Sequence, residues 1–182
     1  MKKILLGLVL VSLVGFFATS PVLGVVSVAS PSAAPTVTLD YTMPFPGILP
    51  DHPLYKIKLF RDKILLSFTR DPIKKVNLQL LMSDKQVIMG GLLWEKGKAD
   101  LAVDTFTKSE KGLLTVVMSL VELKKTSFPP AGLVDKVELS AKKHEELISN
   151  LITQVSEETK KKELGKALEI THQAIQQVAT AK

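Results

Sequence analysis

DPIKKVNLQLLMSDKQVIMGGLLWEKGK, residues 71–98, carries its own start and stop signals for a helix. Asp71 offers a carboxylate to the free N–H groups of a first turn, and Pro72 stands where no N–H is needed. Ile73, Val76, Leu80, Val87 and Trp94 recur at helical spacing as one stripe, which Leu81, Ile88 and Leu92 widen. So broad an apolar face predicts contact with more than one neighbour. Gly90 and Gly91 lie inside this helix, where each glycine costs about 1 kcal/mol relative to alanine. Close approach of another helix, or a local kink, explains them more simply than a hinge. Gly97 suits the left-handed backbone that closes a helix, so the predicted span is 72–96.

A second long helix follows at once, over 99–125. Ala99, Ala102, Val103, Phe106, Leu113, Val117 and Leu120 line one face. From Leu113 to Leu123 the chain is apolar nearly all round, which predicts the most buried part of the molecule in a stretch too short to cross a membrane. Lys124 and Lys125 fall in the last turn, where cations meet the negative end of the helix dipole. SFPPAG, residues 127–132, must be a loop. Beyond it Leu133, Val137, Ala141, His144, Ile148, Leu151 and Val155 mark a helix over 133–154. Leu164, Leu168, Ile175 and Val178 mark another over 157–179, with Ser156 as its expected N-cap. A reversal near Ser156 makes these two a helical hairpin and brings His144 to within one turn of the height of His172.

Towards the N-terminus, Asp51 and Pro53 repeat the start signal for a helix over 53–69. Leu54, Ile57, Phe60, Ile64, Leu65 and Phe68 recur at helical spacing and give it one apolar face, as a helix of the bundle. YTMPFPGILPDHP, residues 41–53, is too rich in proline to be helical; Pro46-Gly47 fits a type II turn, and Met43, Phe45, Ile48 and Leu49 suit a strap lying on the fold. Beyond the segment 25–40 no alternating β-branched run occurs. The fold class is therefore all-α: an antiparallel bundle of about five helices in a single domain, 41–182, ending in the helical hairpin.

Residues 1–24 read as an export signal. Lys2 and Lys3 precede an unbroken apolar run, Ile4 to Phe17, and small residues follow at Ala18, Ser20 and Gly24. The alternative is an uncleaved anchor, because 4–29 is long enough to span a bilayer. Residues 25–40 are small and polar, a flexible spacer. The whole chain has 182 residues and a charge of +6, which loss of Lys2 and Lys3 would lower by two. With no cysteine, disulfides, thiolate metal sites and an acyl-anchored cysteine are excluded. The paired lysines have acids among them and few aromatics beside them, which argues for solvated helical faces and against nucleic acid.

The string PFPGILPDHPLY, residues 44–55, followed by Arg61-Asp62 and Asp71-Pro72, resembles a bacterial family of exported helical proteins, the domain of unknown function numbered 5667. The resemblance is most specific from Tyr41 to about Lys98, and residues 142–170 look like the family's C-terminal part. In such proteins proline often stands where this chain has Ser156. The resemblance implies export and a helical body, and it implies no activity and no catalytic residues.

No serine or threonine lies in a glycine elbow, there is no phosphate-cradling glycine loop and no HExxH, so no catalytic constellation is expected. His52 reads as a flank of the helix start. Glu169 and His172 form one Glu-x-x-His pair, and a carboxylate-bundle di-metal centre needs two. His144, His172 and Glu169 are the remaining metal candidates, more simply read as a polar seam, and no cofactor is expected. The sequence points to a non-enzymatic extracytoplasmic protein that binds or scaffolds at the cell envelope, with an unassigned envelope protein or polymer as partner and membrane contact only through its N-terminal segment. A small-ligand or metal-binding module on the C-terminal hairpin is the alternative. Nothing in the sequence sets the oligomeric state.

Overall fold

A computed structural model describes residues 40–180. The expected signal, 1–24, and all but the last residue of the expected spacer lie outside the described residues. The described chain is all-α, with helices α1 (Tyr55–Phe68), α2 (Pro72–Glu95), α3 (Ala99–Thr126), α4 (Leu133–Gln154) and α5 (Glu158–Thr180). None of these helices is long and apolar enough to cross a membrane.

Local chemistry sets most of the helix ends. Asp71 accepts hydrogen bonds from the N–H groups of Ile73 and Lys74 at 2.9 and 3.2 Å, the capping role expected of it. Gly97, at φ 72°, and Gly132, at φ 81°, take the left-handed backbone between α2 and α3 and ahead of α4. Asp51 does not cap α1. That helix begins only at Tyr55, where the Leu54 N–H donates to Nδ1 of His52 at 3.2 Å. The Asp51 carboxylate is taken instead by Lys98, at 2.9 Å, and Lys96, at 3.3 Å, which tie the strap to the α2–α3 turn. Ser156 stands one residue short of the cap of α5: the Glu157 carbonyl accepts the first helical bond, from Lys161.

α2 to α5 pack into a bundle whose core has two apolar layers. One joins the start of α2 (Val76, Leu80) to the end of α3 (Leu113, Val117, Leu120), the start of α4 (Val137, Ala141) and the end of α5 (Ala174, Val178). The other joins the end of α2 (Val87, Leu93) to the start of α3 (Ala102, Phe106), the end of α4 (Ile148, Val155) and the start of α5 (Leu164, Ala167). These pairings make successive helices antiparallel. α2 and α3 approach most closely. Ser83 and Ser109 exchange hydrogen bonds with each other's carbonyls at 2.9 and 3.0 Å, and the Phe106 ring lies over Gly90. Close approach therefore explains Gly90, as the sequence suggested.

α1 departs from expectation. It turns Tyr55, Lys58, Asp62 and Leu66 towards the body and leaves its apolar face in solvent, with Ile57, Phe60 and Phe68 exposed by 65, 67 and 80 %. The reason is that α2 to α5 already close their core on one another. The inner face of α1 instead holds the Lys58–Asp62 ion pair, at 3.1 Å with both side chains largely covered.

Two substitutions separate the glycines of α2. A Cβ at position 90 would lie 2.9 Å from the buried Phe106 ring, whereas one at 91 meets nothing within 4 Å. Gly91→Ala should raise stability by about 1 kcal/mol through helix propensity alone. Gly90→Ala should lower it, because displacing a packed ring outweighs that gain. Denaturant melts of the two variants check the sign of each. By the same measurement Asp71→Ala should cost about 1 kcal/mol, as a lost N-cap does.

Candidate functional site

Between the two apolar layers lies a polar one, to which each bundle helix contributes. His144, from α4, is completely buried. Its Nδ1 lies 2.9 Å from Oε1 of Glu110 on α3, and its Nε2 lies 3.1 Å from Oδ1 of Asp84 on α2. With a carboxylate at each nitrogen, both ring positions donate and the ring is an imidazolium. The Ser140 hydroxyl donates to Oδ1 of Asp84 at 2.6 Å, and the Thr171 hydroxyl on α5 donates to Oε2 of Glu110 at 2.8 Å. Tyr41, from the strap, donates to Oδ2 of Asp84 at 2.6 Å. Every carboxylate oxygen in the layer thus has a donor, as groups removed from water require.

Burial alone would pull the His144 imidazole below its ordinary value of 6.5. The Glu110 charge and the hydrogen bonds to Asp84 and Glu110 outweigh it and push the pKa up to about 9. Burial also pushes the Tyr41 phenol well above its ordinary value, and its hydrogen bond to Asp84 and the charge there act in the same direction, so Tyr41 stays a donor.

The three metal candidates are not brought together. His144 points into the core. His172 is at the expected height on α5 but on the outside, half-exposed and 2.9 Å from Glu145, and Glu169 is exposed as well. Among the described residues no group of three His, Asp or Glu side chains is arranged to hold a metal ion. The sequence reading picked out His144 and missed its partners, although a signal was present. Asp84 falls between Leu80 and Val87 on the stripe of α2, and Glu110 between Phe106 and Leu113 on that of α3. An acid in mid-stripe on two helices, with a histidine in mid-stripe on a third, is the mark of a buried ionic layer.

The other distinctive feature is the outer face of α1. Leu54, Ile57, Phe60, Ile64, Leu65 and Phe68 all stand in solvent. Ile48 of the strap continues this surface, beside a cleft of about 370 Å³ that the buried Pro46 lines together with Leu54, Ile57 and Arg61. Exposed single apolar side chains are ordinary, whereas a contiguous set marks an interaction surface.

A family model for a domain of unknown function, DUF5667, matches residues 47–158, more than half of the chain. The chain belongs to the DUF5667 family. The match runs from the strap through α4 and ends at the first residue of α5, so it reaches well past Lys98, where the sequence resemblance was most specific. Of the polar layer, Asp84, Glu110, Ser140 and His144 fall within the DUF5667 match, and Tyr41 and Thr171 fall outside it. No curated protein and no solved structure matches the chain.

The polar layer predicts a pH dependence. The folded state holds the His144 proton more tightly than the unfolded chain does, so its contribution is complete below about 6.5 and is lost as pH rises through about 9. Unfolding free energy from urea melts should fall across that window by about 3 kcal/mol. His144→Gln should be less stable at pH 6 by about 3–5 kcal/mol, because two buried carboxylates lose their cation, and should show a flat profile between pH 6.5 and 9.

Proposed function

We propose that this DUF5667 protein is a non-enzymatic component of the cell envelope that is exported and binds or scaffolds there through the outer face of α1. The observation that carries the reading is the exposed apolar set on α1: a 14-residue helix turns its polar side to the body and its apolar side to solvent. Desolvated apolar area is what most association reactions bury. The buried ionic layer supports the same reading from the other side. Its histidine and both acids are enclosed, and each is bonded to a neighbour, so they hold helices together and present nothing to a substrate. The basic n-region, apolar run and small residues at 1–24 support export.

Fractionation of the native cells tests the proposal. Intact-mass measurement of the envelope or secreted form should show loss of roughly 20 to 30 residues, or the full-length chain in the membrane fraction if the segment is kept. A photo-crosslinking residue in place of Phe68 should form adducts with envelope material, and one in place of Lys166, exposed on α5, should not. Full-length protein soluble in the cytoplasm, or equal adducts from both positions, would sink the reading.

A further inference from the structure

The charges around the α1 face identify the kind of surface it fits. Lys56, Arg61 and Lys63 are exposed on α1, whereas its one acid, Asp62, is turned inward and held by Lys58 and Arg61. Past the end of the helix Arg70, Lys74 and Lys75 are exposed too. Between residues 54 and 75 the chain has seven basic residues and two acidic ones, an excess of five within a net charge of +6. Lys56 and Lys63 lie along one edge of the apolar arc and Arg61 lies within it, and such long side chains can rest their stems on apolar material while their charged heads reach water.

We propose that α1 lies in the plane of an anionic lipid bilayer, with Ile57, Phe60, Ile64, Leu65 and Phe68 in the acyl boundary and Lys56, Arg61 and Lys63 among the headgroups. This deepens the envelope-binding reading and rests on it. An apolar face with cations along one edge and within it, and no outward acid, fits an interfacial helix, in which burial and attraction to negative headgroups act together. At 14 residues the helix is about 21 Å long, too short to span and suited to lying flat. A second copy of the chain fits less well. A two-fold contact would set each α1 against its copy, bringing Lys56, Arg61 and Lys63 of both copies into one interface with no outward acid on either helix to pair with them. The position in the chain agrees with lipid as well. The apolar run 4–29, whether signal or anchor, precedes α1 by only 25 residues, so an uncleaved anchor would hold α1 close to a membrane surface.

The chain has no cysteine, so Ile64→Cys in the full-length protein accepts a single environment-sensitive fluorophore on the α1 face, and Gln173→Cys on α5 gives a control outside it. With phosphatidylglycerol vesicles the label at 64 should shift to shorter wavelength and be quenched by brominated acyl chains, and the label at 173 should do neither. A label at a fixed site reports the position of α1 even where the N-terminal segment itself holds the chain to the vesicle. Lys56→Gln with Lys63→Gln should reduce the ratio of inserted to free α1 about thirtyfold, and raised salt should weaken insertion in the same direction. Ile57→Ser with Phe68→Ser should abolish insertion without changing the melting temperature, because both side chains lie outside the core. A label at 64 that stays in water on vesicle-bound protein overturns the proposal, as does insertion equal in phosphatidylcholine and phosphatidylglycerol. A label that becomes shielded with rising protein concentration and no lipid assigns the face to a second copy and overturns it too. Failure here together with envelope adducts from position 68 in cells would leave the envelope reading standing with a protein partner, so the two outcomes are distinct.

Discussion

His144 donates both ring protons to carboxylates on two other helices, and this arrangement tolerates very little displacement. The buried imidazolium is stable only while Glu110 and Asp84 flank it, and each of those acids needs its own hydroxyl donors, from Thr171 and from Ser140 and Tyr41. Sliding α2, α3 or α4 by a single turn would leave a charge without a partner in the middle of the core, at a cost of several kcal/mol, and sliding α5 would leave Oε2 of Glu110 without its donor. The leucine- and valine-rich layers on either side have no such selectivity, since apolar side chains of similar volume can exchange neighbours cheaply. The ionic layer thus sets the relative height of four helices, and the apolar layers supply most of the driving force.

The same division explains what can be read from one sequence. Helix ends were legible because they are local: Asp71 with Pro72 starts α2, and Gly97 and Gly132 take positive φ at a helix boundary. Asp51 carried the same local signal and failed, because two lysines from the α2–α3 turn compete for its carboxylate. No pattern around residue 51 records that competition. The hairpin of α4 and α5 was legible in height, since His172 meets Glu145, the neighbour of His144. Its buried stripe, His144 included, was legible too, and the partners of His144 were not, because they come from α2 and α3.

α1 shows a different limit. Periodicity correctly grouped Leu54, Ile57, Phe60, Ile64, Leu65 and Phe68 on one side of a helix. It says which residues share a face and nothing about the direction in which that face points. The usual inference, that an apolar face turns inward, assumes a core with room for it. Here four helices leave no such room, and the fifth keeps its ion pair against the body. A face that breaks the usual rule without a local fault in sequence or geometry is the expected mark of a functional surface.

Tyr41 joins the strap to the ionic layer at almost the first described residue. A force applied to the described chain from its N-terminal side therefore arrives at the phenol of Tyr41 before it reaches any described helix. From there it passes through Asp84 into His144 and across the bundle, in place of peeling the first helix away turn by turn. Because α1 rests only lightly on α2, the strap's anchorage at Tyr41 and Asp51 bears the load that α1 cannot. Tension on the described chain from its N-terminal side is thus borne by the layer that fixes the helices in height.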